Sequence, residues 1–211
     1  MSLKVYIETS IVSYLTARPS RDLIIAAHQQ LTQEWWDKRR ANFDLYVSQI
    51  VIQESSAGEA AMSQKRLDAL DGIPLLSINQ EAVALARAFV EKGPIPEKAR
   101  VDALHIALAT THGMDYLLTW NCKHIANAEM QTGVAKGISR GRIRTASDLH
   151  SGRAFGELKM WNDEIVEEVR KVRLEYAAKF NNDLEAIFKD IKEQEEKSDR
   201  EVVSGHQRNL S

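Results

Sequence analysis

Short apolar runs alternate with longer stretches of helical periodicity over the first 120 residues of the chain. Three runs rich in β-branched and aromatic residues have the length of strands, and they are Leu3–Ile7, Asp44–Ile52 and Asp115–Thr119. Apolar spacing between these runs predicts helices at Ile11–Thr16, Asp22–Arg40, around Leu67 and Leu70, Asn79–Glu91 and Val101–Thr111. Strands that alternate with helices predict an α/β fold, with a mostly parallel central sheet covered on both faces.

The pattern changes beyond residue 131. Residues 132–152 hold four of the ten glycines and little periodicity, so we predict a linker or a degraded final strand over residues 132–158. Over residues 159–204 apolar residues recur at helical spacing in two groups, and Asn182 followed by Glu185 is typical of a capping box between them. Neither amphipathic helix can bury its apolar face alone. We therefore expect both to lie on the domain formed by residues 1–131, or on a neighbouring copy of it.

Composition and charge exclude several classes of protein. The net charge of -2 excludes a protein that holds nucleic acid by bulk positive charge, although residues 1–150 carry +1 and residues 151–211 carry -3. The single cysteine, Cys122, excludes an internal disulfide and a Cys-rich zinc site, so we expect oxygen ligands for any bound metal. Apolar runs are too short to span a membrane and the first residues do not resemble a signal peptide. We therefore expect a cytoplasmic protein with no membrane contact.

Acidic and amide side chains follow the predicted strands. Glu8, Glu54 and Asn121 each come shortly after a strand, and Asp102 opens a helix on whose face His105 follows one turn later. Because sites in parallel sheets form at the carboxyl ends of strands, we expect these carboxylates to converge. Carboxylates that lie together repel one another, and a divalent cation relieves this repulsion. Ligation by oxygen alone favours Mg²⁺ or Mn²⁺.

Each of these residues also has a structural interpretation when it is taken alone. Asp102 could cap a helix, Asn121 could stabilise a turn, and Glu8 or Glu54 could be a solvated carboxylate. The prediction of a site therefore rests on their conjunction. The remaining polar candidates are histidines, and we interpret them as packing or surface residues: His105, His112 and His124.

Four runs, VYIETS, VIQE, ARVDALHIALA and GMDYLLTWN, resemble a PIN domain in their order and separation, and within that family the ribonuclease toxins of the VapC type. The resemblance covers about residues 1–130. It implies a three-layer fold and an Mg²⁺- or Mn²⁺-dependent endoribonuclease of a type II toxin–antitoxin system. It implies four residues as catalytic and metal-binding, Glu8, Glu54, Asp102 and Asn121, and three as supporting hydroxyls, Thr9, Ser10 and Thr119. Lys123, close to Asn121, is the candidate for contacting an RNA phosphate.

The chain departs from the family pattern at three places. Glu8 stands where most members have Asp, and Asn121 stands where many have a fourth acidic residue, so a tightly held second metal is not expected. Members of the family continue after the third strand with a helix and a final edge strand. Here that region is rich in Gly and Arg, and the run from Gly141 to Ser147 is a candidate for a substitute strand.

The C-terminal segment, residues 159–204, resembles the short, acidic, helical antitoxin-like proteins encoded beside such toxins. The resemblance implies an inhibitor fused to its target, acting in cis or in trans. An arginine placed among carboxylates competes with a metal ion for them. The candidates are Arg170, Lys171 and Arg173, of which we expect at least two to face solvent. We further expect RNA as the substrate and a homo-oligomer.

Two other functions are considered. If the altered acidic set does not bind metal, the chain is a catalytically inactive PIN-like scaffold that acts as a protein or RNA interaction module. A haloacid-dehalogenase-like phosphatase would need an Asp-x-Asp motif after the first strand, where this chain has Glu8, Thr9 and Ser10.

Overall fold

A central parallel sheet organises the molecule. The computed structural model describes residues 2–93, 95–121, 125, 142–144 and 163–204. Within these residues six strands lie in the order β5-β4-β1-β2-β3-β6: β1 (Leu3–Ile7), β2 (Phe43–Ser48), β3 (Leu75–Leu76), β4 (Tyr116–Leu118), β5 (Arg142–Arg144) and β6 (Val202–Val203). All the pairings are parallel, with Val5 of β1 opposite Leu45 and Tyr116 on its two sides. The predicted α/β fold is confirmed.

Helices flank the sheet. Those of the described residues are α1 (Thr9–Thr16), α2 (Leu23–Lys38), α3 (Gln49–Ser55), α4 (Ala60–Ala69), α5 (Gln80–Glu91), α6 (Arg100–Thr111), α7 (Glu164–Lys179) and α8 (Leu184–Glu196). Two short 3-10 turns, Arg40–Asn42 and Glu97–Ala99, precede β2 and α6. Side-chain caps begin several helices where the sequence predicts them: Asp22 accepts bonds from the backbone N–H groups of Ile24 and Ile25, and Asn79 accepts one from Ala82.

The second strand is shorter than the sequence predicts. The apolar run Asp44–Ile52 was expected to be one strand, but β2 ends at Ser48 and α3 begins at Gln49. Ile50 and Val51 are buried in α3, and a short apolar run does not distinguish a buried helix from a buried strand. Glu54 consequently lies in the last turn of a helix.

The C-terminal helices pack on the same core. Helix α7 contacts α1, α3 and α6, and α8 contacts α3 and α5. Ile187 and Ile191 of α8 are completely buried, as are Trp35 and Tyr6 of the first domain. The expected docking of an amphipathic C-terminal extension onto the α/β domain is therefore observed within one chain.

The turn between α7 and α8 corrects one expectation. Asp183, not Asn182, is the N-cap of α8, and its side chain accepts a 2.9 Å bond from the backbone N–H of Glu185. Asn181 and Asn182 have φ angles of 53° and 59°, a left-handed conformation that Asn tolerates better than most residues. Two such residues in succession reverse the chain direction between the helices.

Segments beyond residue 121 supply both outer strands of the sheet. Strand β5 lies beside β4 and falls within the run proposed as a substitute strand, and the rest of the predicted linker lies outside the described residues. Strand β6 lies beside β3, where the N–H of Leu75 donates to the carbonyl of Glu201 (2.8 Å) and the N–H of Ser77 to that of Val203 (3.0 Å). Neither β3 nor β6 was predicted, because a two-residue strand has no periodicity. None of the described helices has the length and hydropathy needed to cross a bilayer.

Candidate active site

Glu8 lies at the carboxyl end of the central strand. It follows β1 directly and is the N-cap of α1, accepting a 3.1 Å bond from the backbone N–H of Ser10. The hydroxyls of Ser10 and Thr119 also donate to the same carboxylate oxygen, Thr119 at 2.8 Å. A carboxylate that accepts three hydrogen bonds at a strand end is fixed in position before any ligand arrives.

Glu54 and Asp102 complete a group of three buried carboxylates, which we call the acidic cluster (Glu8, Glu54 and Asp102). The Thr9 hydroxyl donates to Glu54 Oε2, and Asn121 Nδ2 donates to Asp102 Oδ1 at 2.9 Å. Asp102 lies in the first turn of α6 and is not its N-cap, which is Ala99. The carboxylate side chains are at most 4% exposed. The structure thus brings together the four residues that the sequence singled out, with the three hydroxyls around them.

Arg173 of α7 enters the acidic cluster. Its Nε donates to Glu54 Oε1 at 2.7 Å, and its Nη1 donates to Asp102 Oδ1 at 2.5 Å. Its Nη2 donates to Glu8 Oε1 and, at 3.0 Å, to Glu54 Oε2. The planar guanidinium presents donors in several directions, and here all its nitrogen atoms are used on the cluster. One positive charge therefore bridges three carboxylates.

The other two basic candidates of α7 lie differently. Arg170 donates from Nη2 to Asn121 Oδ1 at 2.7 Å, beside the cluster. Lys171 points away, with its side chain 75% exposed and its Nζ 3.8 Å from Glu175. The expectation that at least two of the three face solvent is wrong, because the helix turns both arginines toward the sheet and only Lys171 outward.

Electrostatics favours the ionised form of Glu54. Burial by itself raises the pKa of Glu54, but Arg173 and His105 outweigh this effect and lower that pKa to about 2. Burial likewise lowers the pKa of Arg173, whereas the charges of Glu54, Glu8 and Asp102 raise it well above its usual value. The three carboxylates therefore stabilise the positive charge of the buried Arg173.

His105 is completely buried, as the packing interpretation requires, but it also contacts the acidic cluster. Its Nε2 lies 3.2 Å from Glu54 Oε1, and its Nδ1 lies 2.8 Å from the hydroxyl of Tyr6. The Tyr6 hydroxyl lies 2.7 Å from the hydroxyl of Ser48, and all four side chains are buried. The sequence carried the signal, since His105 is one turn after Asp102 on the same face of α6. Its partner Tyr6 belongs to the apolar pattern of β1, and the sequence gives no signal that Tyr6 contacts the site.

The remaining predicted residues separate into two groups. His112 is buried with Nε2 2.8 Å from the carbonyl of Ser77, away from the cluster, as a packing role requires. Lys123, the predicted RNA contact, and His124 lie outside the described residues.

The donor set fits a divalent cation. Glu8, Glu54 and His105 each offer a ligand atom, and these atoms lie within 4.8 Å of one another. The carboxylates are held by hydroxyl and amide donors of the kind that orient metal ligands in proteins.

Comparison with known proteins matches this chain to a protein family. The family model described as PIN domain matches residues 5–121, which contain the acidic cluster, Asn121 and His105. No curated protein matches the chain, and no solved structure matches it.

Proposed function

Because this chain belongs to the PIN domain family, whose members are generally nucleases, we propose that it is a metal-dependent endoribonuclease whose C-terminal segment inhibits it. The observation that carries the proposal is Arg173, a cation from that segment that binds all three carboxylates of the acidic cluster. The same carboxylates are the ones that would hold Mg²⁺ or Mn²⁺.

The residues of the cluster have distinct roles in the proposed reaction, hydrolysis of an RNA phosphodiester. Glu8, Glu54 and Asp102 would hold the cation, which when bound would supply an activated water and positive charge for the phosphate. Asn121 orients Asp102 through its amide, and Thr9 orients Glu54. Ser10 and Thr119 orient Glu8. Lys123 remains the proposed contact to the RNA backbone.

Inhibition follows from two effects: Arg173 occupies the carboxylates that would bind the metal, and α7 blocks access of RNA to them. Arg173 neutralises the charge that a divalent cation needs, so the two cations exclude each other. Access is also blocked, because the carboxylates are buried and the cavity beside Asp102, lined by Lys98, Arg170 and Leu174 among others, measures about 100 Å³. Pockets that bind small organic ligands measure about 300–1,000 Å³. A ribonucleotide therefore needs α7 to move.

Part of the proposal concerns the origin of the two regions. We propose that residues 1–131 are a VapC-type toxin domain and residues 159–204 its antitoxin-like partner, joined in one chain. The net negative charge of residues 159–204, their helical structure and the insertion of an arginine into the site support this origin. A cytoplasmic location and a homo-oligomer remain predictions.

Cleavage of RNA by the full-length protein tests the proposal. With Mn²⁺ or Mg²⁺ we expect Arg173→Ala to cleave at least about tenfold faster than the unchanged chain, because the competing cation is gone. Lys171→Ala, on the exposed side of the same helix, is the matched control and should not change the rate. Adding Asp102→Ala to Arg173→Ala should abolish cleavage.

The opposite results have a defined meaning. An Arg173→Ala protein that folds, binds no Mn²⁺ at millimolar concentration and cleaves no RNA supports the inactive PIN-like scaffold. Cleavage by the Arg173→Ala, Asp102→Ala protein at the rate of Arg173→Ala alone contradicts the assignment of the site.

A further inference from the structure

A buried histidine beside the acidic cluster has no role in the reaction as described. His105 is completely buried, and its Nε2 faces Glu54 Oε1 at 3.2 Å. Packing alone does not require an imidazole in contact with an ionised carboxylate. The nitrogen also lies with the Glu8 and Glu54 oxygens in the group whose atoms are within 4.8 Å of one another.

The other ring nitrogen of His105 is held in the way that a metal-ligating histidine requires. Nδ1 is 2.8 Å from the hydroxyl of Tyr6, which is in turn 2.7 Å from the hydroxyl of Ser48. A hydroxyl can donate or accept a hydrogen bond, so the linked hydroxyls of Tyr6 and Ser48 satisfy either tautomer of the imidazole ring. When Nδ1 donates to Tyr6, the lone pair of Nε2 is directed toward the carboxylates. Histidines that ligate metals commonly have such a partner on the second nitrogen.

We infer that His105 Nε2, Glu8 and Glu54 form a mixed nitrogen–oxygen site that binds Mn²⁺ in preference to Mg²⁺. The inference rests on the proposed function, because it names the ion and one further ligand for the same site. Mg²⁺ is bound in proteins almost entirely through oxygen, whereas imidazole nitrogen suits transition metals. In the inhibited chain Arg173 bridges Glu8 and Glu54, so a cation already lies between two of the three ligands.

The test uses the full-length Arg173→Ala protein, in which the competing guanidinium is absent. Mn²⁺ and Mg²⁺ binding is measured by calorimetry, and pulsed electron paramagnetic resonance of bound Mn²⁺ detects coupling to a directly bonded nitrogen. We expect a nitrogen coupling in this protein and its loss in Arg173→Ala with His105→Gln. The Mn²⁺ affinity should fall about tenfold or more, and the Mg²⁺ affinity by less than about threefold.

Glutamine is chosen because its amide can still donate to Glu54. If His105 only orients Glu54, His105→Gln retains that bond, no nitrogen coupling is seen, and the affinities for both ions change together. His112→Gln is the matched control, since His112 is a buried histidine away from the cluster, and it should keep the coupling. Arg173→Gln and His105→Asn replace the first variants where circular dichroism shows that these have lost their structure.

The results separate this inference from the proposed function. Bound Mn²⁺ without nitrogen coupling, together with cleavage of RNA, overturns the inference and leaves the nuclease intact. No bound Mn²⁺ and no cleavage overturns both. Tighter binding of Mg²⁺ than of Mn²⁺ overturns the inference alone.

Discussion

Two regions hold the C-terminal segment on the α/β domain, and the interactions in these regions differ in kind. On α7 an ionic contact is added to apolar packing, since Arg173 is buried among three carboxylates beside the buried Val166 and Tyr176. On α8 and β6 the contact is made by apolar side chains and backbone pairing, together with polar contacts such as that of Glu195 with the N–H of Ile78 (2.8 Å). Leu184, Ile187 and Ile191 are buried, and β6 adds to the edge of the sheet. We call the first the ionic anchor (Arg173) and the second the apolar anchor (Leu184, Ile187, Ile191 and β6).

The difference between the anchors separates inhibition from attachment. The ionic anchor occupies carboxylates that, in the proposed function, bind a divalent ion in its place. The apolar anchor contains no group that a metal ion would bind in place of its partner, and its free energy does not depend on the charge of the cluster. The segment can therefore leave the acidic cluster at α7 while it stays bound at α8.

Removal of the ionic anchor should have the largest effect on stability. We expect Arg173→Ala to lower the free energy of unfolding by about 3–5 kcal/mol in a chelator, because three buried carboxylates lose the cation that bridges them. Mn²⁺ should restore most of this loss. Denaturation with and without Mn²⁺ measures it, with Lys171→Ala as control. A loss that Mn²⁺ does not reduce would mean that the cluster does not accept a metal.

The apolar anchor should respond to truncation and not to metal. We expect Ile187→Ala to cost about 2–5 kcal/mol through lost burial and the cavity left behind, with the same value in Mn²⁺ and in a chelator. Hydrogen exchange should become faster over α8. Glu193→Ala, on the exposed side of α8, is the control. Unchanged protection of α8 in Ile187→Ala would contradict the assignment of this anchor.

Acid should weaken the ionic anchor. The pKa of Glu54 is lowered to about 2 from its usual 4.5, so its ionised form is favoured by folding. This contribution is complete above about pH 4.5 and is lost as the pH falls toward 2. We therefore expect the difference in stability between the unchanged chain and Arg173→Ala to shrink from pH 4.5 to pH 3. A difference that is constant over this range contradicts the prediction.

The smallest effect should be that of Lys171→Ala. Its partner Glu175 is 64% exposed, the two atoms are 3.8 Å apart, and exposed pairs contribute about 0–1 kcal/mol. We expect a change of less than about 0.5 kcal/mol in stability. A larger change in denaturation would mean that the basic residues of α7 act collectively and not through Arg173.

Sequence patterns predict the parts of this fold that are long or periodic. Strand β1, the helices other than α3 and the convergence of Glu8, Glu54 and Asp102 follow from alternation and from the topology of parallel sheets. Strands β3 and β6 have two residues each, and only their backbone pairing defines them. The boundary at Ser48 depends on how Ile50 and Val51 pack, which hydrophobicity alone does not determine.

The candidate site shows a similar division. Acidic residues after strands are visible in the sequence, but the position of Arg173 depends on which face of α7 meets the sheet. Three basic residues lie within four positions of α7, and the sequence does not show which of them enters the acidic cluster. The burial of Val166, Val169 and Tyr176 determines which face of α7 meets the core, and this places Arg173 in the cluster. His105 belongs to the site because Tyr6, a residue of the apolar pattern, turns its hydroxyl toward it.

The placement of Arg173 after the residues it blocks also orders events in time. The carboxylates and Asn121 are complete in the first 121 residues, and Arg173 is translated 52 residues later. At about 5–20 residues per second, roughly 3–10 s separate the two during synthesis, and domains generally fold as they emerge from the ribosome. The residues of the acidic cluster are therefore translated, and can begin to fold, before the helix that carries Arg173 has been made.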